Sequence, residues 1–181
     1  GKVPRTFHAD GDYDTAPIRA VLEEFGVILH TSPAYVPQLN GIAERANQTI
    51  NSDARTILHH AKLPGKFWAE AVNTAVYLHN RRPNSILSWK ITPYELIHGF
   101  KPSIKHLRTF GCDAYLLIPE KLRTHSKLGN RSHRVIFVGY DVDDNKYRFY
   151  NPDTGFINLA GDVLFDETSF TREKQHSDDV F

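Results

Sequence analysis

Two acidic side chains stand out in this sequence because of where they fall in the chain. Asp10 ends a short segment that we predict to be a strand, and Glu44 begins a long helical segment after a loop rich in proline and glycine. In α/β folds, the carboxyl ends of strands expose functional groups. Two carboxylates that meet there can hold Mg²⁺, and paired ions support phosphoryl transfer. Spacing alone favours a plainer interpretation, a solvated Asp10 and a helix-start Glu44 favoured by the helix dipole.

The elements that would position these residues follow from the apolar pattern. Residues 3–9 are predicted to form a strand, and a helix after Thr15 carries apolar side chains at spacings of three and four: Ile18, Val21, Leu22 and Phe25. The apolar run 27–29 is typical of a strand buried on both faces. A long helix over 42–60 has an apolar side made of Ile42, Ala46, Ile50, Ala54, Ile57 and Leu58. A different, wholly polar stripe at i, i+4, i+7 and i+11 consists of Glu44, Gln48, Asn51 and Arg55.

The second half of the chain changes from helical to β patterning. A helix over 67–80 places Phe67, Trp68 and Tyr77 at helical spacing, which favours core positions over stacking platforms. A short helix is predicted to begin after Thr92, which is typical of an N-cap and is followed by Pro93 and Glu95. Aromatic and branched residues then dominate four predicted strands: 110–118, 134–140, 146–150 and 156–165. Short strands at this spacing predict a small barrel or sandwich.

Composition and charge limit the function classes. A chain of 181 residues corresponds to one domain or two small ones. Its single cysteine, Cys112, excludes an internal disulfide and a multi-cysteine zinc site. No apolar run reaches the roughly 18 residues of a membrane span, so we expect no membrane partner. Net charge is −2 over 1–60, +9 over 61–140 and −6 over 141–181. The basic middle suggests a polyanion partner, although on charge alone a solvated lysine-rich surface is the preferred interpretation.

Several short segments resemble the integrases of copia-type retrotransposons, and they follow one another in the same order. They are 32–45, around the last catalytic glutamate, and then 67–71, 77–81, 92–95, 107–112, 137–140 and 162–167. The resemblance covers nearly all of residues 5–167. It implies an α+β chain with a truncated RNase H-like α/β core over 1–104 and a small SH3-like β-barrel domain over 105–167. Separately, the polar composition of residues 168–181 predicts a disordered tail.

The resemblance also implies a chemistry. Such integrases join element DNA to target DNA by metal-dependent strand transfer, using two aspartates and one glutamate with Mg²⁺ or Mn²⁺. The second aspartate corresponds to Asp10 and the glutamate to Glu44. The implied partners are the element ends and target DNA, with a homo-oligomer in the full-length parent, and the implied location is the nucleus.

A set of polar residues is expected to contact DNA. In the loop before the long helix, the resemblance implies this role for Tyr35, Gln38 and Asn40, although Asn40 is also typical of a helix cap. On the helix, the candidates are Arg45, Gln48, Asn51 and Arg55. The family places basic residues where Ala46 and Gln48 stand here, so we expect a weaker grip on phosphates. Further candidates for the phosphate backbone, or equally for solubility, are Lys62, Lys66, Arg81 and Arg82.

Departures from the family pattern predict reduced activity. The first aspartate of the family lies on an earlier strand, and only nine residues precede Asp10. We therefore expect the isolated chain to bind metal weakly or not at all and to be catalytically inactive. A non-catalytic nucleic-acid-binding or interaction module stays open as the alternative function. Because the sheet would be truncated, we also expect an exposed apolar edge at 3–7 and 27–29.

Overall fold

The protein is a mixed helix and sheet structure of two compact units. The computed structural model describes residues 4–9, 11–31, 41–85, 87, 89–118, 131–141 and 146–171. The units are Gly1–Thr49 and Ile50–Phe181. The helices are α1 (Ala16–Glu24), α2 (Gly41–Ala61), α3 (Trp68–Arg81) and α4 (Pro93–His98). The strands are β1 (Thr6–Ala9), β2 (Ile28–Thr31), β3 (Asp113–Leu117), β4 (Ser132–Tyr140), β5 (Tyr147–Tyr150), β6 (Ile157–Ala160) and β7 (Val163–Asp166). In the part of the chain that the structure describes, no helix is both long enough and apolar enough to span a membrane.

In the first unit, β1 and β2 form a parallel pair with Ala9 opposite Thr31. The predicted elements are present, but the predicted burial is wrong. No residue of α1 is buried, and Val21 and Phe25 are 53% and 59% exposed. In β2, Ile28 is 60% exposed, so the strand is not buried on both faces. Of the apolar edge expected at 3–7 and 27–29, Phe7 and Ile28 are exposed, whereas Val27 is buried. Two short strands offer little surface for a helix to cover.

The long helix α2 follows its predicted pattern closely. On its apolar side Ala54, Leu58 and Ala61 are buried, with Ile50 and Ile57 packed beside them. Its polar side, described below, faces solvent. The amphipathic period of 3.6 residues thus assigned both faces correctly.

The short helix α4 begins at its predicted N-cap. The hydroxyl of Thr92 accepts a hydrogen bond from the backbone N–H of Glu95 at 3.0 Å, as expected of an N-cap. In α3, Phe67 just before the helix is buried, whereas Trp68 is 40% exposed and Tyr77 is half-buried. The prediction that all three belong to the core is therefore correct for Phe67 and wrong for Trp68, because consecutive helical residues point about 100° apart.

The second unit contains a five-stranded antiparallel sheet in the order β6-β5-β4-β3-β7. Three of the four predicted segments are strands, and 156–165 divides into β6 and β7 at Gly161 and Asp162. β6 pairs with β5, whereas β7 crosses the sheet to pair with β3. The central strand β4 is buried from Val135 to Gly139, so the sheet is covered on both faces.

The two faces of the sheet have different partners. On one face, Ile136, Val138 and Tyr150 pack with the buried residues of α2 and α3 in a single apolar cluster. On the other face, side chains of the strands and of the residue before β3 form a second apolar cluster among themselves. Its buried members are Cys112, Ala114, Val135, Phe137 and Phe149. The helices and the sheet of the second unit therefore share one core.

Close backbone contacts and one ion pair join the helices to the sheet. A Cβ built on Gly111 would lie 2.3 Å from the Cβ of Ala61. The guanidinium of Arg148 donates two hydrogen bonds to the carboxylate of Glu70, at 2.7 and 2.9 Å. Only glycine, which has no side chain, fits at position 111. The end of α2 therefore lies in close contact with the backbone just before β3.

The end of the described chain is anchored to β3. Asp113 is fully buried, and its carboxylate accepts hydrogen bonds from the hydroxyls of Ser169 and Thr171 at 2.6 and 2.8 Å. The first residues of the predicted tail, 168–171, are thus hydrogen-bonded, and 172–181 lie outside the described residues. The domain limits at 104/105 and 167/168 stay predictions.

Candidate functional site

The first candidate ligand follows the strand β1. The described part of β1 ends at Ala9, which is buried and opposite Thr31 in a parallel pair. Asp10 comes next in the chain and lies outside the described residues. The position immediately after the carboxyl end of a parallel strand is where α/β folds carry functional side chains.

The second candidate ligand, Glu44, lies in the first turn of α2. Its side chain is exposed, and none of the described residues pairs with its carboxylate in a hydrogen bond or ion pair. The partial positive charge at the helix N-terminus makes an acidic residue favourable at this position. Glu44 therefore presents free oxygen donors to solvent.

Oxygen donors of this kind suit a hard divalent cation. Mg²⁺ in phosphoryl-transfer sites is held by one or two carboxylates, with water and substrate phosphates completing the shell. Among the described residues, no three or more His, Cys, Asp or Glu side chains come together as a metal site. The donor chemistry of Glu44 thus fits magnesium, and the pairing of Asp10 with Glu44 stays a prediction.

The polar side of α2 carries four of the candidate DNA contacts. All four are exposed: Arg45, Gln48, Asn51 and Arg55. The first two belong to the first unit and the other two to the second. The loop candidates Tyr35, Gln38 and Asn40 lie outside the described residues. A helix face of exposed arginine and amide side chains has the donors that phosphate oxygens accept.

Two candidate lysines follow α2. Lys62 is exposed at the end of the helix, with a positive φ of 54°. The ammonium of Lys66 lies 3.2 Å from the hydroxyl of Tyr150 and 5.0 Å from the centre of its ring. Lys66 is therefore engaged with the sheet, whereas Lys62 projects into solvent.

The two candidate arginines at the end of α3 both make contacts within the chain. The guanidinium carbon of Arg81 lies 3.4 Å from the ring centre of Tyr77 and 4.7 Å from that of Tyr94. Arg82 pairs with Asp53 at 3.0 Å on a half-exposed surface. Such an exposed pair contributes little stability, so Arg82 can exchange Asp53 for another anion at small cost.

Sequence reasoning missed a cluster of stacked rings around Arg81. Tyr77 stacks on Tyr140 with ring centres 4.3 Å apart, and its hydroxyl is hydrogen-bonded to His106 across 2.6 Å. The spacing of Tyr77 and Arg81 by four residues was the available signal, since side chains at i and i+4 meet on a helix. What the spacing could not reveal is that Tyr140, from a strand, completes the stack.

Cys112 is confirmed as a structural residue. It is fully buried in the core of the sheet. Burial raises the pKa of its thiol to about 12, with smaller effects in the same direction from Glu167 and Asp113. A thiol of this kind is neutral at physiological pH and inert as a nucleophile.

Comparison with known proteins finds similar sequences over most of the chain. Residues 112–179 match the retroviral polymerase SH3-like domain. The chain is 35% identical over 170 residues to the retrovirus-related Pol polyprotein from transposon TNT 1-94 of Nicotiana tabacum, a match that covers 94% of this chain and 13% of that protein. It is 30% identical over 165 residues to the corresponding polyprotein from transposon RE1 of Arabidopsis thaliana, covering 91% of this chain and 11% of that protein. The chain is thus similar in sequence to transposon Pol polyproteins over most of its length.

The chain spans little more than a tenth of the length of those relatives. It is also 32% identical over 106 residues to an uncharacterised mitochondrial protein of Arabidopsis thaliana, across 55% of this chain and 88% of that protein. A solved simian T-cell lymphotropic virus intasome in complex with PP2A regulatory subunit B56 gamma is 16% identical, with a TM-score of 0.41 over 87% of this chain and 55% of that one. The resemblance to a mobile-element polyprotein and the SH3-like domain are confirmed, and the copia assignment and the RNase H-like core stay predictions.

Proposed function

We propose that this chain is the C-terminal part of the catalytic core of a copia-type integrase, followed by its SH3-like domain. In the full-length parent, it would take part in joining element DNA to target DNA by strand transfer. The observation that carries the proposal is homology to transposon Pol polyproteins over 94% of a chain in which one acid follows a parallel strand and another begins the helix α2. An RNase H-like core uses acids in such positions to hold metal.

The roles of the residues follow from their chemistry. Asp10 and Glu44 would hold Mg²⁺ or Mn²⁺, and the bound metal would neutralise charge that develops on the phosphodiester oxygens. Arg45 and Arg55 on the exposed side of α2 would pair with phosphates. Gln48 and Asn51, between them on the same side, would donate to phosphate or base-edge oxygens.

A test in the full-length parent addresses the metal ligands. Asp10→Asn and Glu44→Gln are each expected to abolish joining of a labelled element end to target DNA, because an amide replaces an anionic ligand without a change of size. Glu24→Gln is the matched control, since Glu24 is an exposed acid at the end of α1. Normal joining by the Glu44→Gln parent refutes the assignment.

The isolated chain offers a second test. Its two carboxylates are two of the three that the family uses, so we expect no magnesium-dependent nicking of plasmid DNA by the purified chain. Robust nicking that EDTA abolishes would contradict this expectation.

The DNA interface on α2 can be tested by binding alone. Each phosphate contact contributes about 0.9 to the slope of log K against log salt concentration for duplex DNA. Arg45→Gln and Arg55→Gln are each expected to reduce that slope by about 1. Lys146→Gln, which removes an exposed cation next to β5, is expected to leave it unchanged. If both arginine variants keep the salt slope of the wild type, α2 is excluded from the interface.

A non-catalytic nucleic-acid-binding module is the second candidate function. The observation in its favour is that the extensive buried core lies in the second unit, whereas Glu44 lies in the first. Under this function, duplex binding would persist in the parent with both acids replaced, and the wild-type parent would join no DNA. A nuclear location and a homo-oligomeric parent belong to the integrase proposal.

A further inference from the structure

The strand β6 lies at one end of the five-stranded sheet. It pairs with β5 on one side, and in the described part of the chain no strand pairs with its other side. A strand in this position presents unpaired backbone N–H and C=O groups, which can pair with a strand of another chain. The outer side of β6 is therefore a candidate interaction surface, separate from the proposed metal ligands and DNA contacts.

The register of β6 on β5 determines which of its backbone groups face outwards. The backbone N–H of Asn151 donates to the carbonyl of Phe156 at 2.9 Å, and the two strands keep one register from there through β6. Hydrogen-bonded and non-hydrogen-bonded pairs alternate along an antiparallel ladder. Phe156 and Asn158 therefore direct their backbone groups towards β5. Ile157 and Leu159 direct theirs away from the sheet, where they are free to pair.

The side chains of β6 do nothing to prevent such pairing. No residue of the strand is charged, and Ile157 and Leu159 are 38% and 47% exposed. The strand at the other end of the sheet, β7, ends in Asp166 and is followed by Glu167. Charged residues on an edge strand discourage pairing with another chain. Of these two edges, β7 carries this protection and β6 lacks it.

The sequence of β6 is complementary to itself in the antiparallel direction. A two-fold axis through Asn158 places Ile157 opposite Leu159 of a second copy, and Leu159 opposite Ile157 of that copy. Because these residues direct their backbone groups outwards, both pairs can be hydrogen-bonded pairs. Their side chains lie on one face of the strand, where apolar cross-strand pairs stabilise a sheet. Asn158 then faces Asn158 of the second copy, and each amide can donate to the other.

The charges on either side of β6 are also compatible with this pairing. The nearest acids along the chain are Asp153 and Asp162. About the same two-fold axis, Asp162 falls opposite Thr154 of the second copy and Asp153 falls opposite Val163. Like charges directly opposite each other destabilise paired strands. Neither acid faces another acid in this arrangement, so association is not opposed by such a pair.

We infer that β6 pairs in the antiparallel direction with β6 of a second copy of this chain. A second copy is favoured over other extended segments because the same four residues supply both sides of every pair. A pair of four-residue strands buries less than the roughly 1,200 Å² of a standard interface, so the dimer is weak and depends on concentration. The inference goes beyond the proposed function, since it follows from the edge strand and holds whether or not the parent transfers strands.

The test measures the mass of the whole chain by sedimentation velocity at concentrations up to about 1 mM, where even weak dimers are populated. The wild type is expected to shift from monomer towards dimer as its concentration rises. Leu159→Lys places a charge in both apolar pairs and is expected to raise the dimer Kd about tenfold. Leu164→Lys, the same change at a leucine that is 66% exposed on β7, is the matched control and should leave the Kd unchanged.

A cysteine variant tests the two-fold register. The Asn158 residues of the two copies would form a non-hydrogen-bonded pair with Cα atoms about 4.5 Å apart, and disulfides need Cα separations of about 4.4 to 6.8 Å. Asn158→Cys is therefore expected to give a disulfide-linked dimer in a mild oxidant. Leu164→Cys is the matched control and should stay monomeric, and the native Cys112 is buried.

The outcomes decide for or against this interface. A wild type that is monomeric at every concentration overturns the second copy as the occupant of β6, even if the strand then binds an extended peptide. An unchanged Kd for Leu159→Lys, equal weakening by both lysine variants, or equal disulfide formation by both cysteine variants overturns β6 as the contact. Circular dichroism melting curves verify that all variants are folded. The strand-transfer and salt-slope tests are independent of these results, so failure of the inference is distinguishable from failure of the proposed function.

Discussion

The two compact units of this chain differ in how far packing fixes their side chains. Among the described residues of Gly1–Thr49, only Ala9 and Val27 are buried. In Ile50–Phe181, two apolar clusters cover both faces of the sheet, and β4 is buried from Val135 to Gly139. The first unit carries both proposed metal ligands, whereas the second carries the large core.

The two units differ in what their side chains contribute: buried apolar side chains of the second unit stabilise the fold, whereas the proposed metal ligands belong to the first unit. Burial of apolar surface is the dominant favourable term in folding, and it is concentrated in the second unit. Glu44 and the polar side of α2 are exposed, which leaves them available to solvent, ions and DNA. Substitutions in the core of the second unit should therefore change stability, and substitutions at exposed positions of the first unit should not.

The largest effect is expected from labelling Cys112, the only cysteine, with a chromogenic disulfide reagent. Burial disfavours the thiolate and raises the pKa to about 12, against about 8.5 for a free thiol. At pH 8 the native chain should therefore react about a thousandfold more slowly than the chain in urea. Fast labelling of the native chain would contradict the packed core of the second unit.

A large loss of stability is expected for Gly111→Ala. The new Cβ would lie 2.3 Å from the Cβ of Ala61, and φ is +82°. Overpacking and left-handed backbone strain together predict a loss of about 4 kcal/mol in the free energy of unfolding. Gly155→Ala is the matched control, since φ is +74° and nothing lies within 4 Å, so only about 1 kcal/mol of strain is expected.

Urea unfolding followed by circular dichroism measures both glycine variants. If Gly111→Ala and Gly155→Ala lose the same stability, the close approach of α2 to the sheet does not constrain the fold.

An intermediate effect is expected for Glu70→Gln. It removes one charge from the two-hydrogen-bond pair with Arg148, in which the side chain of Glu70 is only 11% exposed. The guanidinium would then be uncompensated at a partly buried position, and the free energy of unfolding is expected to fall by about 2 kcal/mol. The loss is smaller than for a fully buried ion pair because the side chain of Arg148 is 31% exposed. Asp14→Asn breaks the exposed pair with Arg19 in the first unit and is expected to leave thermal stability unchanged. A larger loss for Asp14→Asn would reverse the ranking of the two units.

The smallest effect is expected from the pH dependence of Glu167. Hydrogen bonds from the hydroxyl and backbone N–H of Thr109, and then the charge of Arg108, hold the pKa of Glu167 below its usual value. Ionised Glu167 therefore adds stability that is complete above its unfolded-state pKa and is lost as pH falls through its folded-state pKa. Because the side chain is 43% exposed, the contribution is below about 1 kcal/mol. Glu167→Gln should flatten the decline of the melting temperature on acidification, and an unchanged decline would refute this role.

Many of the short segments that resemble integrases belong to the helix–sheet core. Segment 67–71 contains Phe67 and Glu70, segment 107–112 contains Gly111, and segment 137–140 crosses the buried part of β4. These residues are recognisable because packing permits few alternatives at each of them. Segment 32–45, which carries the proposed chemistry, lies largely outside the described residues, so the structure leaves its role as a prediction.

The sequence by itself determined the type and order of the elements, the two faces of α2 and the Thr92 cap, because these depend on interactions between residues a few positions apart. It also carries the similarity to transposon Pol polyproteins. Only the tertiary structure decided that α1 leaves its apolar side exposed, that 156–165 divides into two strands at opposite edges of the sheet, and that Tyr140 completes a stack on Tyr77. Burial, strand partners and cavities arise from segments distant in the chain, and no local period encodes which of them meet.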